Sequence, residues 1–431
     1  MWSFETDPDH QAELDWAADF IATEVEPLDM LLGSPFDRSD PAVAAHVRSL
    51  QGVVRDRGLW ACHLGPELGG QGYGQLRLAL LNEVLGGSIW APTIFGCQAP
   101  DSGNAEILAR FGTPEQRERY LQPLLDGEVC STYAMTEPHA GADPLLFTTT
   151  ARRDGDEWVI DGEKWFATNA RFAAFLIVMC VTDPDAQDPH RRMSMLLVPA
   201  GTPGVEVVRS VGVGTDRPGE GTHGYLRFTG ARVPADALLG EEGQAFVVAQ
   251  TRLGGGRIHH AMRTIGQVRA AFDMMRERAV SRSTRTGALG SLQMVQEQIA
   301  DSWIEIEQFR LLVLRTAWLI DKEQDYLKVR KEIAAVKALM SKVFSDVVSR
   351  AMHLHGALGV SEEMPFMAML SRAEVMAVAD GPTEVHKVTV ARQLLRGVEP
   401  VDGPWPSAHL PSRRAAAQAR LGATLEAGVV S

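Results

Sequence analysis

The chain has 431 residues, 45% of them hydrophobic and 23% charged, and a formal net charge of −13. That length supports two or three domains around large cores, and the negative balance opposes nucleic-acid binding and attachment to an acidic membrane surface. The four cysteines, at positions 62, 97, 130 and 180, form no Cys-x-x-Cys pair, so they fit neither a zinc site nor a disulfide framework and suit a reducing compartment.

The opening Met1-Trp2-Ser3-Phe4-Glu5-Thr6-Asp7 is acidic and lacks the basic region of a targeting peptide. The longest apolar run, Ala173 to Val181, is too short to span a bilayer. A cytoplasmic protein without membrane insertion is therefore expected.

Residues 10–30 read as an amphipathic helix with Leu14, Ala17, Ala18, Ile21, Ala22 and Val25 on one face and Pro27 at its end. A second helix, 40–57, ends at Gly58 with Arg55 and Arg57 in its last turn. The glycine-rich stretch Pro66 to Gly72 follows no strand, so a loop before a helix at 75–86 suits it better than a phosphate cradle. Helices at 101–111 and 114–126 complete a helical domain over residues 1–130, the last begun by Thr113 and Pro114.

After residue 130 the hydrophobic period shortens to 2. Trp158 to Ile160, Phe175 to Val181, Ser194 to Val198, Val205 to Val208 and Gly224 to Phe228 read as strands, with turns at Asp154-Gly155 and Asp161-Gly162. An antiparallel β domain over residues 131–243 is expected. No G-x-G-x-x-G follows a strand and no Walker A sequence occurs. Four long amphipathic segments, near 244–281, 290–320, 326–355 and 365–396, predict a four-helix bundle over 244–397. Four prolines then stiffen a linker, and Ser412 to Ala427 suits a short helix in a tail over 398–431. The fold class is α+β.

Several stretches carry residues suited to chemistry. In Tyr133 to Asp143, Gly141 permits close backbone approach, and Thr136, Ala142 and nearby amides could hold a planar polar ring; an ordinary strand-exit turn explains the same residues. Gly254-Gly255-Gly256, near an expected helix start, leave room for a ligand. The adjacent His259 and His260 point in different directions on a helix, so no metal site is expected. Asp380 before Gly381-Pro382 suits a helix-capping loop.

Thr136-Glu137-Pro138 followed by Gly141-x-Asp143 resembles the signature of the acyl-CoA dehydrogenase family, and the resemblance runs from about residue 10 to about 397. It implies the helix–β–bundle plan and an FAD cofactor. Ala142 stands where most members have Ser, and His139 where many have Gly. By the resemblance, Tyr133, Met135, Thr136, Gly141 and Ala142 line the flavin, Ala142 also meeting the thioester. Phe166, Ala167 and Thr168 lie against the ring, and Gly256 and Arg257 hold the substrate's pantetheine arm. Arg282, His353, Gly356 and Ala357 reach the flavin of a neighbouring subunit, although Arg285 and Thr286 replace a usual Phe-Gly and His353 a usual Gln; Gln293, a glutamine common at its point, also binds the cofactor. Gly381, Pro382 and Glu384 also contact flavin, and Gly381 the substrate.

Asp380 occupies the place of the catalytic base, usually a Glu. This Asp, the Arg252 to His260 stretch and Gln98 to Asn104, which by position lines the acyl pocket, are similar to the branch of family members ten and eleven. The implied reaction is FAD-dependent α,β-dehydrogenation of an acyl-CoA to a trans-2-enoyl-CoA, within fatty-acid β-oxidation. An electron-transfer flavoprotein would take the electrons from a homodimer or homotetramer. An acyl-CoA oxidase of the same fold and a non-catalytic flavin-bearing binding protein are the alternatives.

Overall fold

In the computed structural model, which describes residues 4–68, 70–216 and 219–428, the chain opens on a capped helix, α1 (Pro8–Phe20). Met1 to Ser3 and Gly69, both part of stretches read above, lie outside the described residues. The Asp7 carboxylate accepts the amides of Asp9 and His10, and Pro8 sits in the first turn, where its missing N–H has no cost.

The expected stop at Pro27 does not occur. Ile21–Val25 forms one wide turn in which the Glu26 amide bonds to Ile21 O, and α2 (Glu26–Leu31) continues with Pro27 in its own first turn. The wide turn supplies the new helix start that a proline tolerates. Next come α3 (Pro41–Asp56), α4 (Gly74–Leu85), α5 (Ala91–Ile94) and α6 (Asp101–Phe111). The short α7 (Pro114–Gln116), held by a Thr113–Gln116 capping box, and α8 (Gln122–Leu125) finish this helical region.

The sheet comprises β1 (Ser131–Ala134), β2 (Thr150–Asp154), β3 (Glu157–Thr168), β4 (Phe175–Val181), β5 (Met193–Pro199), β6 (Val205–Val211), β7 (His223–Pro234) and β8 (Leu238–Leu239). Its order is β6-β7-β3-β2-β4-β5-β8, with β1 also on β4. The expectation of a purely antiparallel domain is corrected here. β1 runs parallel to β4, from Ser131 opposite Phe175 to Ala134 opposite Val178, and β2 meets β4 in parallel at Thr150 and Val181. Both strands lie along the flank of β4 that β5 leaves free.

Every residue of β4 is buried. Phe175, Ile177 and Met179 enter one core and Leu176, Val178 and Cys180 another, which is why the strand reads as an unbroken apolar run. A second correction concerns the Asp-Gly pairs. Gly155 (φ 63°) does turn the chain between β2 and β3, but Asp161-Gly162 lies inside β3, where the register with β7 shifts. Gly162 has φ 138°, and an added Cβ would come 2.7 Å from Thr149 Cα, so the glycine serves a bulge and a close chain crossing.

α9 (Ala245–Ser281) follows, then a small hairpin of β9 (Ser283–Thr284) and β10 (Gly287–Ala288), α10 (Gln293–Glu323) and α11 (Arg330–His355). Gly254, Gly255 and Gly256 lie well inside α9, not at its start as expected. The fourth expected segment is broken into α12 (Phe366–Val378) and α13 (Thr383–Leu395). α4, α9 and α10 share one buried carboxylate, Glu83, which meets Arg269 and, at 2.9 Å, Arg310.

The chain divides into one compact unit ending at Lys387 and another beginning at Val388. In the second unit Trp405 stacks on His409 at 4.6 Å, and α14 (Leu410–Gly428) covers the segment read as a tail helix.

Glu137, in the turn after β1, and Lys164, in β3, form an ion pair at 2.9 Å with the Lys side chain 0% and the Glu side chain 2% exposed. Glu137 also accepts the Thr148 amide and hydroxyl and the Thr149 amide, while Lys164 donates to Met135 O at 2.9 Å. Burial works to raise the Glu137 carboxyl, but Lys164 and these donors bring it down to about 2. The Lys164 ammonium moves the other way in stability: burial lowers its pKa more than Cys180 and Glu137 raise it. The pair therefore fixes geometry more than it adds net stability.

Glu137→Gln should lower the unfolding free energy in urea by about 3 kcal/mol, because Lys164 loses its counter-charge inside the protein. In the wild type the Glu137 contribution should be intact above its ordinary pKa of 4.5 and vanish as pH falls toward about 2.

Candidate active site

The end of β1 and the end of β3 are laced together. Besides the Lys164 bond to Met135 O, the Trp165 amide donates to Thr136 O at 2.8 Å. Tyr133 is buried, and its hydroxyl lies 3.7 Å from Met135 Sδ. The register of β3 on β7 slips again between Lys164 and Ala167. Phe166 takes a left-handed φ of 53° there, leaving its ring 42% exposed while Ala167 is buried. The Thr168 hydroxyl lies 2.9 Å from His223 Nδ1, and the Thr168 carbonyl accepts the Thr132 hydroxyl.

An open aromatic ring beside a neutral hydroxyl fits a planar aromatic group. Gly141 and Ala142 lie exposed in the adjoining turn, and a Cβ at Gly141 would approach only Thr136 Cγ2, at 3.8 Å.

Asp380 sits in the break between α12 and α13 with φ 54°. Its carbonyl accepts Arg257 Nε–H at 2.9 Å and lies 3.3 Å from His386 Nε2. The Lys337 ammonium, on α11, donates to Met376 O at 2.5 Å and reaches Gly381 O at 3.4 Å. A Cβ on Gly256 would lie 3.2 Å from Asp380 Oδ2, so glycine there keeps the approach to the carboxylate open.

His260 Nε2 is 3.7 Å from the same oxygen, and Arg263 Nη2–H points to His260 Nδ1 at 3.4 Å. A guanidinium can only donate, so Nδ1 accepts and Nε2–H faces Asp380. Burial tends to raise the Asp380 carboxyl, yet His260, Arg252, Arg257 and Lys337 together hold it below the ordinary carboxylate range. His260 itself is brought to about 4 by burial and by Arg263. At neutral pH the cluster is thus a carboxylate beside a neutral imidazole.

Arg252 joins the two groups of residues. Its guanidinium lies 4.1 Å over the Tyr133 ring, and its Nε donates to Asn104 Oδ1 at 2.9 Å. Asn104 in turn donates to Ser131 Oγ at 2.8 Å, and Asp101 accepts the Ser131 amide. Gln98, Asp101 and Ser102, expected along an acyl pocket, line a cavity of about 350 Å³ with His63, Thr93 and Cys130. Asp380 does not border that cavity, nor one of about 930 Å³ bounded by Gln75, Glu106, Gln250 and Tyr326. Neither cavity touches Phe166 or Thr168, so the geometry of the side chains, and not these two cavities, marks this site.

The sequence-named residues thus fall into groups. Tyr133, Met135, Thr136, Phe166, Ala167 and Thr168 come together, as do Gly256, Arg257, Asp380 and Gly381, with Pro382 next in the loop. Arg282, Gln293, His353, Gly356, Ala357 and Glu384 are exposed on the helical side and join neither group among the described contacts. Sequence reasoning missed Arg252, His260, Lys337 and His223 as parts of the site. Lys337 had a signal, a lone cation in the apolar run Ile333 to Met340, whereas His223 depends on strand register. Among the described residues no cluster of three metal-ligating side chains occurs.

Helical domain, sheet and helical bundle bring together an aromatic and hydroxyl face and a half-buried carboxylate, the layout of an enzyme site. The sequence matches the acyl-CoA dehydrogenase N-terminal domain over residues 7–128, the middle domain over 132–229 and the C-terminal domain over 243–395. The chain therefore belongs to the acyl-CoA dehydrogenase family, whose members are FAD-dependent oxidoreductases.

It is 42% identical over 364 residues to the probable acyl-CoA dehydrogenase FadE2 of Mycobacterium tuberculosis, covering 83% of this chain and 87% of that one. Mouse acyl-CoA dehydrogenase family member 11 is 37% identical over 354 residues, which is 81% of this chain but only 45% of the mouse protein. A solved acyl-CoA dehydrogenase from Geobacillus kaustophilus superposes with a TM-score of 0.77 at 26% identity, over 91% of this chain and 100% of that one.

Burial pushes the Lys337 ammonium down to about 8 from its ordinary 10.5, against the pull of Asp380. A group whose pKa is lowered by folding binds its proton better when unfolded, so stability rises with pH across that interval. Relative to Lys337→Met, the wild type should gain up to about 3 kcal/mol between pH 8 and 10.5 in urea titrations.

Proposed function

We propose that the chain catalyses α,β-dehydrogenation of an acyl-CoA thioester, with Asp380 as the base and an electron-transfer flavoprotein as the electron acceptor. The observation that carries this reading is the Asp380 carboxylate, 18% exposed, open toward Gly256 and kept ionised by surrounding cations.

FAD, when bound, supplies the acceptor for the hydride that leaves the β-carbon. Phe166 would cover its ring, and Thr136, Gly141, Ala142, Ala167 and Thr168 would meet it with neutral groups, adding no charge that opposes reduction. Asp380 removes the α-proton, and its own backbone amide donates to the thioester carbonyl, acidifying that carbon. Arg257 and His386 hold the Asp380 carbonyl, so they orient the base without touching the reacting atoms. Gly256 and Arg257 border the path of the pantetheine arm.

Arg282, Gln293, His353, Gly356 and Ala357 are exposed in the single chain, as contacts across a subunit boundary must be. Gly381, Pro382 and Glu384 complete the proposed flavin loop. The outer side of α10 supports a homo-oligomer, because Ile304, Leu311 and Trp318, each at least 43% exposed, recur every seven residues. Light scattering should give a dimer or tetramer for the wild type and a smaller species for Leu311→Glu; an unchanged mass would place the interface elsewhere. Arg282→Ala should weaken FAD binding without unfolding the subunit.

The direct test is anaerobic single-turnover bleaching of the flavin under saturating acyl-CoA. Asp380→Asn should bind FAD and substrate but lose roughly a thousandfold in rate, because an amide cannot accept the α-proton. Asp380→Glu should keep part of the rate and change the preferred acyl length. A near-wild-type rate for Asp380→Asn would falsify the assignment of the base.

A further inference from the structure

His223, the first residue of β7, stands opposite Thr168 in the antiparallel register of β3 and β7. Its Nδ1 is 2.9 Å from the Thr168 hydroxyl. Its ring also packs against Phe166, with centroids 5.6 Å apart and planes at 47°. One imidazole thus touches both side chains that form the aromatic and hydroxyl face.

We propose that His223 is a positioning residue that sets which way the Thr168 hydroxyl proton points, and so whether that face offers a donor or an acceptor to a planar ligand. This deepens the proposed function and rests on FAD being that ligand.

A hydroxyl has one proton and two lone pairs. When His223 Nδ1 carries hydrogen it donates to Thr168 Oγ1, and the hydroxyl proton is free to point outward to an acceptor. When Nδ1 is bare the hydroxyl donates inward, and Oγ1 turns its lone pairs outward to a donor. The second arrangement, and so any exchange between the two, needs a neutral imidazole, since imidazolium has only donors. Burial supplies this, lowering the His223 pKa more than the Asp216 carboxylate raises it.

The backbone around the pair is held independently. Thr132 bonds the Thr168 carbonyl, and the Asn169 amide donates to Thr222 O at 2.8 Å. The remaining freedom lies in the hydroxyl proton and the imidazole tautomer. The reactive ring nitrogen of a flavin accepts a hydrogen bond when oxidised and carries N–H when reduced. The Thr168–His223 pair suits both forms through the two tautomers of one neutral ring, the proton passing between ring nitrogens through water, with no electron crossing the pair.

The experiment compares His223→Leu, His223→Asn and Thr168→Ala, alone and combined, in the FAD-loaded full chain. It reads FAD affinity, the midpoint potential and visible spectrum of the bound flavin, and the single-turnover bleaching rate. His223→Leu should keep FAD affinity within about threefold but shift the potential and slow bleaching by about tenfold, the worth of one hydrogen bond. Thr168→Ala should give a similar loss, and the double variant should lose little more, because the two act as one unit.

His223→Asn, which puts an amide where Nδ1 was, should recover most of the rate. Losses that multiply to about a hundredfold would overturn the proposal, as would a wild-type rate and potential in His223→Leu or a failure of Asn to restore them. If His223→Leu does not fold, His223→Gln takes its place, its amide falling where the other ring nitrogen was. A wild-type chain that takes up no FAD overturns the proposed function together with this inference. Normal flavin reduction in His223→Leu overturns this inference alone.

Discussion

The buried bond between Glu137 and Lys164 is the constraint that ties the turn after β1 to the strand carrying Phe166 and Thr168. One end sits in the turn after β1 and the other in the middle of β3, and the two segments meet through no covalent neighbour. With the pair in place, Met135 O accepts the Lys164 ammonium and Thr136 O accepts the Trp165 amide of β3. In the same stretch of β3, where its register on β7 slips, Phe166 takes a left-handed conformation that leaves it exposed. A non-glycine residue at positive φ costs on the order of 1–3 kcal/mol and persists only where its surroundings leave no alternative. Here the surroundings include Lys164, two residues earlier, fixed to Glu137 and to Met135 O, and the slipped pairing with β7.

Asp380 follows the same logic at a second strained point. Its φ of 54° would be ordinary for glycine and is costly for aspartate. Three groups from separate elements close on the loop: Arg257 of α9 and His386 of α13 on its carbonyl, and Lys337 of α11 on Gly381 O. The cations also serve the carboxylate. A buried acid would otherwise drift upward in pKa toward its neutral form. Arg257 and Lys337 thus both brace the loop and offset the desolvation of one side chain.

The order of domains and the existence of most elements were legible in the sequence because each has a strong local signature. The helices have apolar faces and caps at Asp7, Asp40 and Thr113, and β4 is an apolar run. What was not legible depends on partners distant in sequence. Nothing local shows that β1 runs parallel to β4, that Asp161-Gly162 is a bulge and not a turn, or that Pro27 follows a wide helical turn. In the site, Asp380, Arg257, Phe166 and Thr168 could be named through resemblance, since each lies in a recognisable run. Arg252, Lys337 and His223 could not, because each matters through a contact made across the fold.

An aspartate as the proposed base carries a geometric demand that the surrounding residues help to meet. Its carboxylate reaches one methylene less far than a glutamate, and a misplacement of about 1 Å can cost roughly a hundredfold in rate. α9 presents Gly256 to this carboxylate, and the absence of a Cβ leaves the near side of Oδ2 free. His260, one turn further along α9, faces the same oxygen with Nε2–H at 3.7 Å. The short acid, the glycine facing it and the neutral imidazole behind it therefore form one arrangement. Replacing the acid alone by the longer glutamate would push its oxygens into space that a substrate must share with Gly256.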